Sequence, residues 1–450
     1  MTFSFTHADP IEIGVDSRGG PVQWAYPQVN NFNIMFMGAS GVGKTHTIQH
    51  MLARVFARQT TFHVIDIKGD FGYTNFERAG LANYVSPDDF NDIRFNYFDG
   101  ASINPLQVPR TPEGGGVLMT IESMKVLVKT FSPNVGVKQL TYLTEILKIV
   151  YTNKGILHDD MESWGRPNPT LNDLLEQIDL IFNAVTSGLP SESVADIMND
   201  IGKTKRKASK EVANMRAIEE EEVVIADKVN ELASGLIDSI TAIIKKQINL
   251  EAVSKTGVGN GDVWEYWSKE SLYGLRSVIQ GMVDSRLFTG NPSRTMSSKI
   301  NRYDLTDISP QHQQVIMRII ANRVLAMGIM ETRRNDSFNP TSPTHVLVAD
   351  EGKHVKEISQ SPLSPFNRIG TEGRGYGVGI WAGVQSPDQV TQDLLKNFAT
   401  YFVLATPEAA AGDVSRMFGI KPSYLKQLVP KDNILFSAGS NYSLVRHFRD

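Results

Sequence analysis

The sequence predicts an α/β fold in which helices flank a mostly parallel, twisted sheet that is interrupted by an inserted α-helical subdomain. Strand and helix patterns alternate at both ends of the chain, whereas the middle is helical and rich in charge. Near the start, a helical pattern separates two apolar strand patterns. Such a βαβ unit places its two strands parallel in one sheet.

The size and composition of the chain are those of a globular protein with more than one unit. Its 450 residues exceed the usual single-domain size, and 41% are hydrophobic and 21% charged. The absence of cysteine excludes a disulfide framework, a thiolate zinc site and a cysteine nucleophile. The net charge of -4 does not indicate nucleic-acid binding through bulk charge, so any such contact must be local.

No membrane anchor is expected. Residues Met1 to Asp16 lack a basic start followed by an apolar run, and no stretch of about 18 apolar residues occurs. We therefore expect a cytoplasmic protein.

The first part of the core follows a short lead-in segment, residues 1–30. Its elements are a strand at Phe32 to Met37, a helix at Thr45 to Arg58, a second strand at Thr61 to Ile67 and a weaker third at Ile93 to Phe98. We place this part at residues 31–110.

The inserted helical subdomain is expected at residues 111–298, beginning with the linker Thr111 to Gly116. Within it, the basic run Lys203 to Lys210 is followed by the acidic run Glu219 to Glu222. This pair indicates either a solvated helix face or a contact with DNA or a partner. Arg294 is a further candidate for a DNA contact.

Strand and helix patterns resume in the second part of the core, residues 299–450. A helix is expected from about Pro310 to Glu331. The expected strands are Ile300 to Leu305, Thr344 to Asp350, Val378 to Val384, Thr400 to Leu404, Asn433 to Ser437 and Tyr442 to Phe448.

The segment GASGVGKT, Gly38 to Thr45, follows the first strand and opens the first helix, which is the context of a P-loop. Backbone N–H groups and the helix N-terminus of such a loop hold phosphate oxygens. Lys44 would neutralise the β- and γ-phosphates, and the Thr45 hydroxyl would ligate magnesium, which predicts ATP and Mg²⁺ as cofactors. The expected nucleotide-binding residues are Gly38, Ala39, Ser40, Gly41, Val42, Gly43, Lys44, Thr45 and His46.

Two adjacent carboxylates end the apolar strand VLVADE, Val346 to Glu351. Asp350 is expected to hold the magnesium through water, and Glu351 to polarise the attacking water as a general base. The alternative is an ordinary strand that ends in an acidic turn.

Gln385 and Arg374 are the remaining catalytic candidates. Gln385 closes the strand after the acidic pair, and its amide can touch the γ-phosphate or the water if the two strands are neighbours. Arg374 lies in a glycine-flanked turn and is suited to stabilising charge on a transferring phosphoryl group, in its own subunit or across an interface. The alternatives are a plain turn for Gln385 and a structural salt bridge for Arg374.

Several motifs, taken in order, resemble those of the HerA and FtsK superfamily of DNA-pumping ATPases, which also contains conjugation coupling and secretion ATPases. The opening IEIGVDSRGGPVQW, Ile11 to Trp24, is similar to the lead-in strands of the FtsK side, and the resemblance covers about 11–110 and 299–450. The other motifs are GASGVGKT, VIDIKGDF at 64–71, INPL at 103–106, RYDLTDIS at 302–309, VLVADE, TEGRGYGVG at 371–379 and VQSP at 384–387.

The resemblance implies a RecA-like P-loop NTPase that forms a hexameric ring, with ATP between subunits and double-stranded DNA in the channel. It implies Arg374 as a trans-acting finger or sensor, and it places Asp66, Lys68 and Asp70 near the nucleotide. A nuclease or other effector protein is the expected partner, in bacterial defence or mobile-element biology by analogy.

The sequence departs from the family's pattern at two points. Gly352 and Lys353 follow Glu351, where relatives often have Ala and then His or a large residue. About 30 residues precede the P-loop, so we expect no amino-terminal barrel of the HerA kind, and no winged-helix DNA reader or nuclease constellation is apparent.

Two other functions fit the same residues. One is a motor that moves protein, as in secretion and conjugation systems. The other is a nucleotide-controlled scaffold that regulates an effector partner.

Overall fold

The computed structural model divides the chain into two compact units, which are residues 1–133, 156–168 and 282–450 for the first and residues 134–155 and 169–281 for the second. The residues it describes are 9–110, 115–187, 267–290, 299–334, 340–360, 364–439 and 442–447, with scattered positions between 198 and 241. Arg294 and the acidic run at 219–222 lie outside the described residues.

The first unit is built on an eleven-stranded sheet in the order β2-β1-β11-β10-β9-β3-β8-β7-β4-β6-β5. The strands are β1 Ile11–Asp16, β2 Pro21–Trp24, β3 Ile34–Met37, β4 Thr61–Asp66, β5 Phe90–Arg94, β6 Ile300–Asp304, β7 His345–Ala349, β8 Val378–Val384, β9 Thr400–Val403, β10 Asn433–Ala438 and β11 Ser443–His447.

The seven strands from β9 to β5 in this order are parallel, and the four strands at the other end pair antiparallel. The mostly parallel α/β sheet predicted from the sequence is therefore confirmed. Strands β3 and β4, which flank the first helix, are parallel but are separated in the sheet by β8 and β7. All seven parallel strands end at the same edge, the carboxyl edge.

Helices surround the sheet and also form the second unit. In chain order they are α1 Lys44–Phe56, α2 Tyr73–Arg78, α3 Gly116–Phe131, α4 Val137–Asn153, α5 Leu171–Ser187, α6 Lys269–Asp284, α7 Pro310–Arg334, α8 Gly352–Ser359, α9 Pro365–Glu372, α10 Gln392–Leu395, α11 Glu408–Phe418 and α12 Pro422–Leu425. No helix among the described residues is both long and apolar enough to cross a bilayer.

Aromatic side chains form the centre of the core on one face of the sheet. Phe36 of β3 stacks on Phe402 of β9 with ring centroids 4.9 Å apart, and Trp381 of β8 contacts both Phe36 and Phe62 of β4. These four side chains are fully buried, and they belong to one cluster with the apolar residues of α1. The packing fixes α1, and with it the loop before α1, against the centre of the sheet.

The weak third strand is displaced from its predicted position. It was expected at Ile93 to Phe98, but β5 ends at Arg94. The Asn96 side-chain oxygen accepts the backbone N–H groups of residues 98, 99 and 100 at 2.8–3.0 Å. An asparagine that hydrogen-bonds the following backbone in this way forms a turn and ends a strand.

The second unit is helical in its described part. Tyr142 of α4 stacks on Trp267 at 3.9 Å between ring centroids, and Lys154 forms an ion pair with Asp173 of α5 at 2.8 Å. The described residues of the basic run at 203–210 are exposed.

Candidate functional site

The P-loop is fastened to the ends of neighbouring strands. The Gly38 N–H donates to the Val384 carbonyl at 3.1 Å, at the end of β8, and the Ala39 N–H donates to the Ala405 carbonyl at 2.9 Å, just after β9. Gly43, with φ of 108°, leads directly into α1. This left-handed backbone turns the chain into the helix and favours glycine, as the motif predicts.

The Lys44 side chain folds over the loop. Its ammonium donates to the carbonyl oxygens of Gly38 and Ala39 at 3.0 and 3.1 Å. Burial lowers the pKa of Lys44, and the charge of Asp350 opposes that shift. A cation held in this loop, beside backbone N–H donors, suits an anionic ligand.

The structure brings Asp350 directly to the P-loop. The Thr45 hydroxyl donates to Oδ2 of Asp350 at 2.7 Å, although 305 residues separate them. Burial raises the pKa of Asp350 to about 6, against the lowering effects of its bond to Thr45 and the charge of Lys44. A carboxylate kept in an unfavourable environment is a common mark of a functional site.

The oxygen atoms around Thr45 and Asp350 fit a magnesium ion. Asp350 Oδ1 is buried and has no hydrogen-bond partner among the described residues, while Oδ2 is satisfied by Thr45. The Thr45 hydroxyl donates its proton to Asp350 and so keeps its lone pairs for a metal. Mg²⁺ prefers oxygen ligands and commonly takes only one or two from the protein, with the phosphates supplying others.

A glycine on β8 makes room for Asp350. A Cβ atom at Gly383 would lie 1.9 Å from Asp350 Oδ1. Strand β8 lies between β3 and β7 in the sheet. Its carboxyl end therefore lies between the P-loop, which follows β3, and the acidic pair, which follows β7.

Glu351 has a different partner from the adjacent Asp350. Its carboxylate forms an ion pair with Lys68 at 2.6 Å, and about a fifth of its side chain is exposed. Partial burial lowers the pKa of Lys68, but the bond to Glu351 and the nearby acidic charges outweigh burial and raise it overall. The two adjacent carboxylates thus have separate surroundings, one buried against Thr45 and one at the surface of the cleft.

Asp66 shapes the loop that carries Lys68. This buried carboxylate, at the end of β4, accepts the backbone N–H groups of Gly69, Asp70 and Phe71 at 2.7–3.1 Å. Arg302 of β6 donates to it at 2.7 Å. Asp66 therefore holds the loop, and Lys68 on that loop reaches Glu351.

Gln385 lies at the predicted edge. Strands β7 and β8 are parallel neighbours, which meets the condition on which its role depended. The residue is exposed directly after β8, and its backbone N–H donates to the Gln389 side-chain oxygen at 2.8 Å. His46 and Ser40 of the predicted nucleotide-binding set are exposed, and His46 Nε2 lies 3.0 Å from His50 Nε2.

Arg374 is not brought to this cluster. It lies in a short 3-10 helix, Gly373–Tyr376, that precedes β8, and its guanidinium donates to the backbone carbonyl of Asn30. The P-loop is at the other end of β8, and seven strand residues span about 20 Å. Arg374 is therefore at the amino edge of the sheet, far from Lys44 of its own chain.

Two contacts of the site could not be found from the sequence. The pairing of Lys68 with Glu351 joins loops that follow different strands, and the approach of Asp350 to Gly383 depends on side-chain packing across the sheet. The advance signals were the position of both Lys68 and Gly383 near strand ends and, for Lys68, the family resemblance, which placed it near the nucleotide.

The chain is similar to one known family and to several solved structures. Residues 23–103 match the family described as the type IV secretion-system coupling protein DNA-binding domain. A search of curated protein sequences gave no significant match.

The solved structure of VirB4 from Thermoanaerobacter pseudethanolicus is similar at 16% identity and a TM-score of 0.63, covering 99% of this chain and 98% of that chain. Two forms of the bacterial conjugative coupling protein TrwBdeltaN70, an unbound monoclinic form and a trigonal form with sulphate, are each similar at 11% identity and a TM-score of 0.50, covering 98% of this chain and 90% of theirs.

Identities this low establish the fold alone, and the family match covers the segment that holds the P-loop. The fold is that of a RecA-like P-loop NTPase. The predicted resemblance to conjugation coupling and secretion ATPases is confirmed as a similarity, through the family match at residues 23–103.

Proposed function

We propose that this chain is an ATPase motor that works as a homo-hexameric ring and moves double-stranded DNA. The observation that carries the ATPase is the joining of Thr45 to Asp350 at 2.7 Å, with Lys44 beside them and Glu351 next in sequence. These are the groups that bind a magnesium nucleotide and activate a water.

In the proposed reaction, water attacks the γ-phosphorus and the bond to the β,γ-bridging oxygen breaks, so that ADP and phosphate leave. Glu351 accepts the proton of the water, and Lys44 offsets negative charge on the β- and γ-phosphate oxygens. Thr45 and Asp350 would hold Mg²⁺, which would supply positive charge to the same oxygens. Gln385 contacts the γ-phosphate or the water from the end of β8.

Lys68 affects how Glu351 does this work. Its ammonium occupies one side of the Glu351 carboxylate at 2.6 Å, which leaves the other side open to a water. The ion pair also sets the direction in which the carboxylate points.

The ATPase is tested by Glu351→Gln. The amide cannot accept the proton, so turnover should fall by roughly 10²- to 10⁴-fold. ATP binding should persist, because the P-loop is unchanged. Single-turnover hydrolysis and equilibrium binding of ATP measure the two effects separately.

Glu77→Gln, at an exposed position on α2, is the matched control and should leave turnover unchanged. Undiminished turnover in Glu351→Gln would remove Glu351 from the role of base.

The choice of DNA as the moved substrate rests on the match of residues 23–103 to a family described as a DNA-binding domain. A motor that grips the phosphate backbone should show ATPase stimulated by duplex DNA, with a stimulation that falls as salt rises. Displacement of a triplex-forming strand from duplex DNA would report movement. Hydrolysis without any response to DNA would contradict the DNA motor and leave the ATPase intact.

A motor that transfers protein is the second candidate. It is favoured by the match of residues 23–103 to a family described as belonging to a type IV secretion-system coupling protein. An ATPase that is insensitive to DNA and stimulated by a protein substrate would select it.

A nuclease or effector partner and a setting in defence or mobile elements stay predictions. They would be tested by co-purification of the native protein with its partners.

A further inference from the structure

A second loop, on the other side of the P-loop from Asp350, touches the nucleotide site. Strand order places β8 and β7 on one side of β3 and β9 and β10 on the other. Lys431 lies just before β10, and its backbone N–H donates to the Val42 carbonyl of the P-loop at 3.1 Å. The P-loop is therefore held from both sides.

The side chain of Lys431 runs beside the P-loop. Its Cγ is the nearest atom, at 3.8 Å, to the position that a Cβ at Gly43 would take. The residue as a whole is exposed, and no ion pair joins Lys431 to a described carboxylate. The stem of this cationic side chain therefore lies against the loop that the proposed function fills with phosphate.

The backbone of Lys431 is strained for a residue with a side chain. Its φ is 63°, in the left-handed region that favours glycine. The surrounding turn is well fixed, because the Asn433 side chain bonds the Val429 N–H at 2.7 Å and the Gln427 carbonyl at 3.0 Å. The turn would form more readily with glycine at 431, so a lysine there points to a use for its ammonium.

We infer that Lys431 is a further nucleotide-binding residue, whose ammonium pairs with the phosphate chain of the nucleotide from the β10 side. This inference rests on the proposed function, because it assumes that the P-loop binds a nucleoside triphosphate. Lys431 approaches from the opposite side to Lys68, and it differs from Lys68 in that its charge is not paired with the catalytic carboxylate.

Lys431→Gly distinguishes a role in nucleotide binding from a role in folding, because the melting temperature should rise while the affinity for nucleotide should fall. Glycine keeps the backbone bond to Val42 and relieves the positive φ, so the melting temperature should rise. Loss of a charge-assisted contact should weaken Mg·ATP and Mg·ADP binding about tenfold. Adenosine binding should not change, since adenosine has no phosphate.

Lys431→Arg, which keeps the charge, should bind ATP within a few fold of wild type. Lys426→Gly, at an exposed lysine five residues earlier, should bind as wild type. Unchanged ATP affinity in Lys431→Gly, or equal weakening for adenosine, would overturn the inference. Failure of the wild-type protein to bind Mg·ATP at all would instead overturn the proposed function.

Discussion

The two edges of the parallel sheet carry different parts of the proposed chemistry. The carboxyl edge gathers Lys44, Thr45, Asp350 and Glu351 within one chain. Thr45 bonds Asp350, Lys44 bonds P-loop carbonyls and Glu351 pairs with Lys68. The amino edge carries Arg374, exposed and bonded to a backbone carbonyl. Under the proposed function, one edge holds the groups for binding and base catalysis, and the other holds the arginine expected to stabilise the transferred phosphoryl group.

The separation teaches that the site of a single chain lacks this arginine. About 20 Å of strand β8 divides Arg374 from the P-loop, and a guanidinium cannot cross that distance. The sequence left open whether Arg374 acts on the nucleotide of its own subunit or on that of a neighbour. This distance does not fit action within its own subunit. Under the proposed function, Arg374 acts on the nucleotide of a neighbouring subunit in the ring.

The largest expected effect comes from Arg374→Ala. An arginine supplied from a neighbouring subunit is worth roughly 10³-fold or more in turnover, so kcat should fall to that extent with little change in ATP affinity. Mixing Arg374→Ala subunits with Lys44→Ala subunits should restore part of the activity, since some interfaces then combine an intact P-loop with an intact arginine. Steady-state ATPase of the mixtures measures this.

The control for that experiment is Arg368→Ala, an arginine on α9 that pairs with Glu372 at 3.3 Å. It should retain near wild-type turnover. If Arg374→Ala is as active as this control, Arg374 has no part in catalysis. The amino edge then contributes no catalytic arginine to a neighbouring subunit.

A smaller effect is expected from a methyl group placed at the carboxyl edge. Gly383→Ala puts a Cβ 1.9 Å from Asp350 Oδ1, so the carboxylate must move away from Thr45. Misplacing a catalytic group by about 1 Å can cost about 10²-fold in rate. The dependence of turnover on Mg²⁺ concentration should shift upward at the same time, which a magnesium titration of the ATPase would show.

Gly379→Ala is the matched change at the amino end of the same strand. Its Cβ would meet the Phe32 backbone oxygen at 2.6 Å, far from the acidic pair. This variant should lose stability without a specific change in the magnesium dependence. Equal magnesium profiles for the two folded variants would show that Gly383 serves packing alone.

The sequence was sufficient for the parts of the site that depend on local pattern. The P-loop and the carboxylates at 350 and 351 were predicted because a strand, a glycine loop and a helix N-terminus form a contiguous signal. The buried strands were predicted because short apolar runs bounded by turn residues are typical of strands in the interior of a sheet. The position of Arg374 in a turn before a strand was also readable, although its distance from Lys44 needed the strand order.

The remaining features depend on side chains that meet across the sheet. Lys68 reaches Glu351 only because β4 and β7 are neighbours, and Lys431 reaches Val42 only because a turn before β10 folds back beside β9. The antiparallel pairing of β1 with β11 raises the same difficulty, since these strands lie at opposite ends of the sequence and no local pattern links them.

The smallest expected effect is on stability, and it concerns Asp350 alone. Burial raises its pKa from 3.8 to about 6, so above pH 6 the folded protein carries a carboxylate that the unfolded chain would hold more favourably. A raised carboxyl pKa means that the folded state binds more protons, and stability therefore declines as pH rises from about 4 through 6.

Asp350→Asn removes this cost and should stabilise the protein at pH 8, without nucleotide or magnesium, by at most about 3 kcal/mol, the equivalent of the full shift. The gain should shrink toward pH 4.5, where the wild-type carboxyl is protonated too. Denaturant unfolding at both pH values measures it, with Asp393→Asn, exposed on α10, as the control. An asparagine variant no more stable than wild type at pH 8 would mean that Lys44 and Thr45 already offset the burial of Asp350. A more stable variant that no longer hydrolyses ATP would instead show that the carboxyl edge gives up folding free energy to keep a charged carboxylate available for the metal.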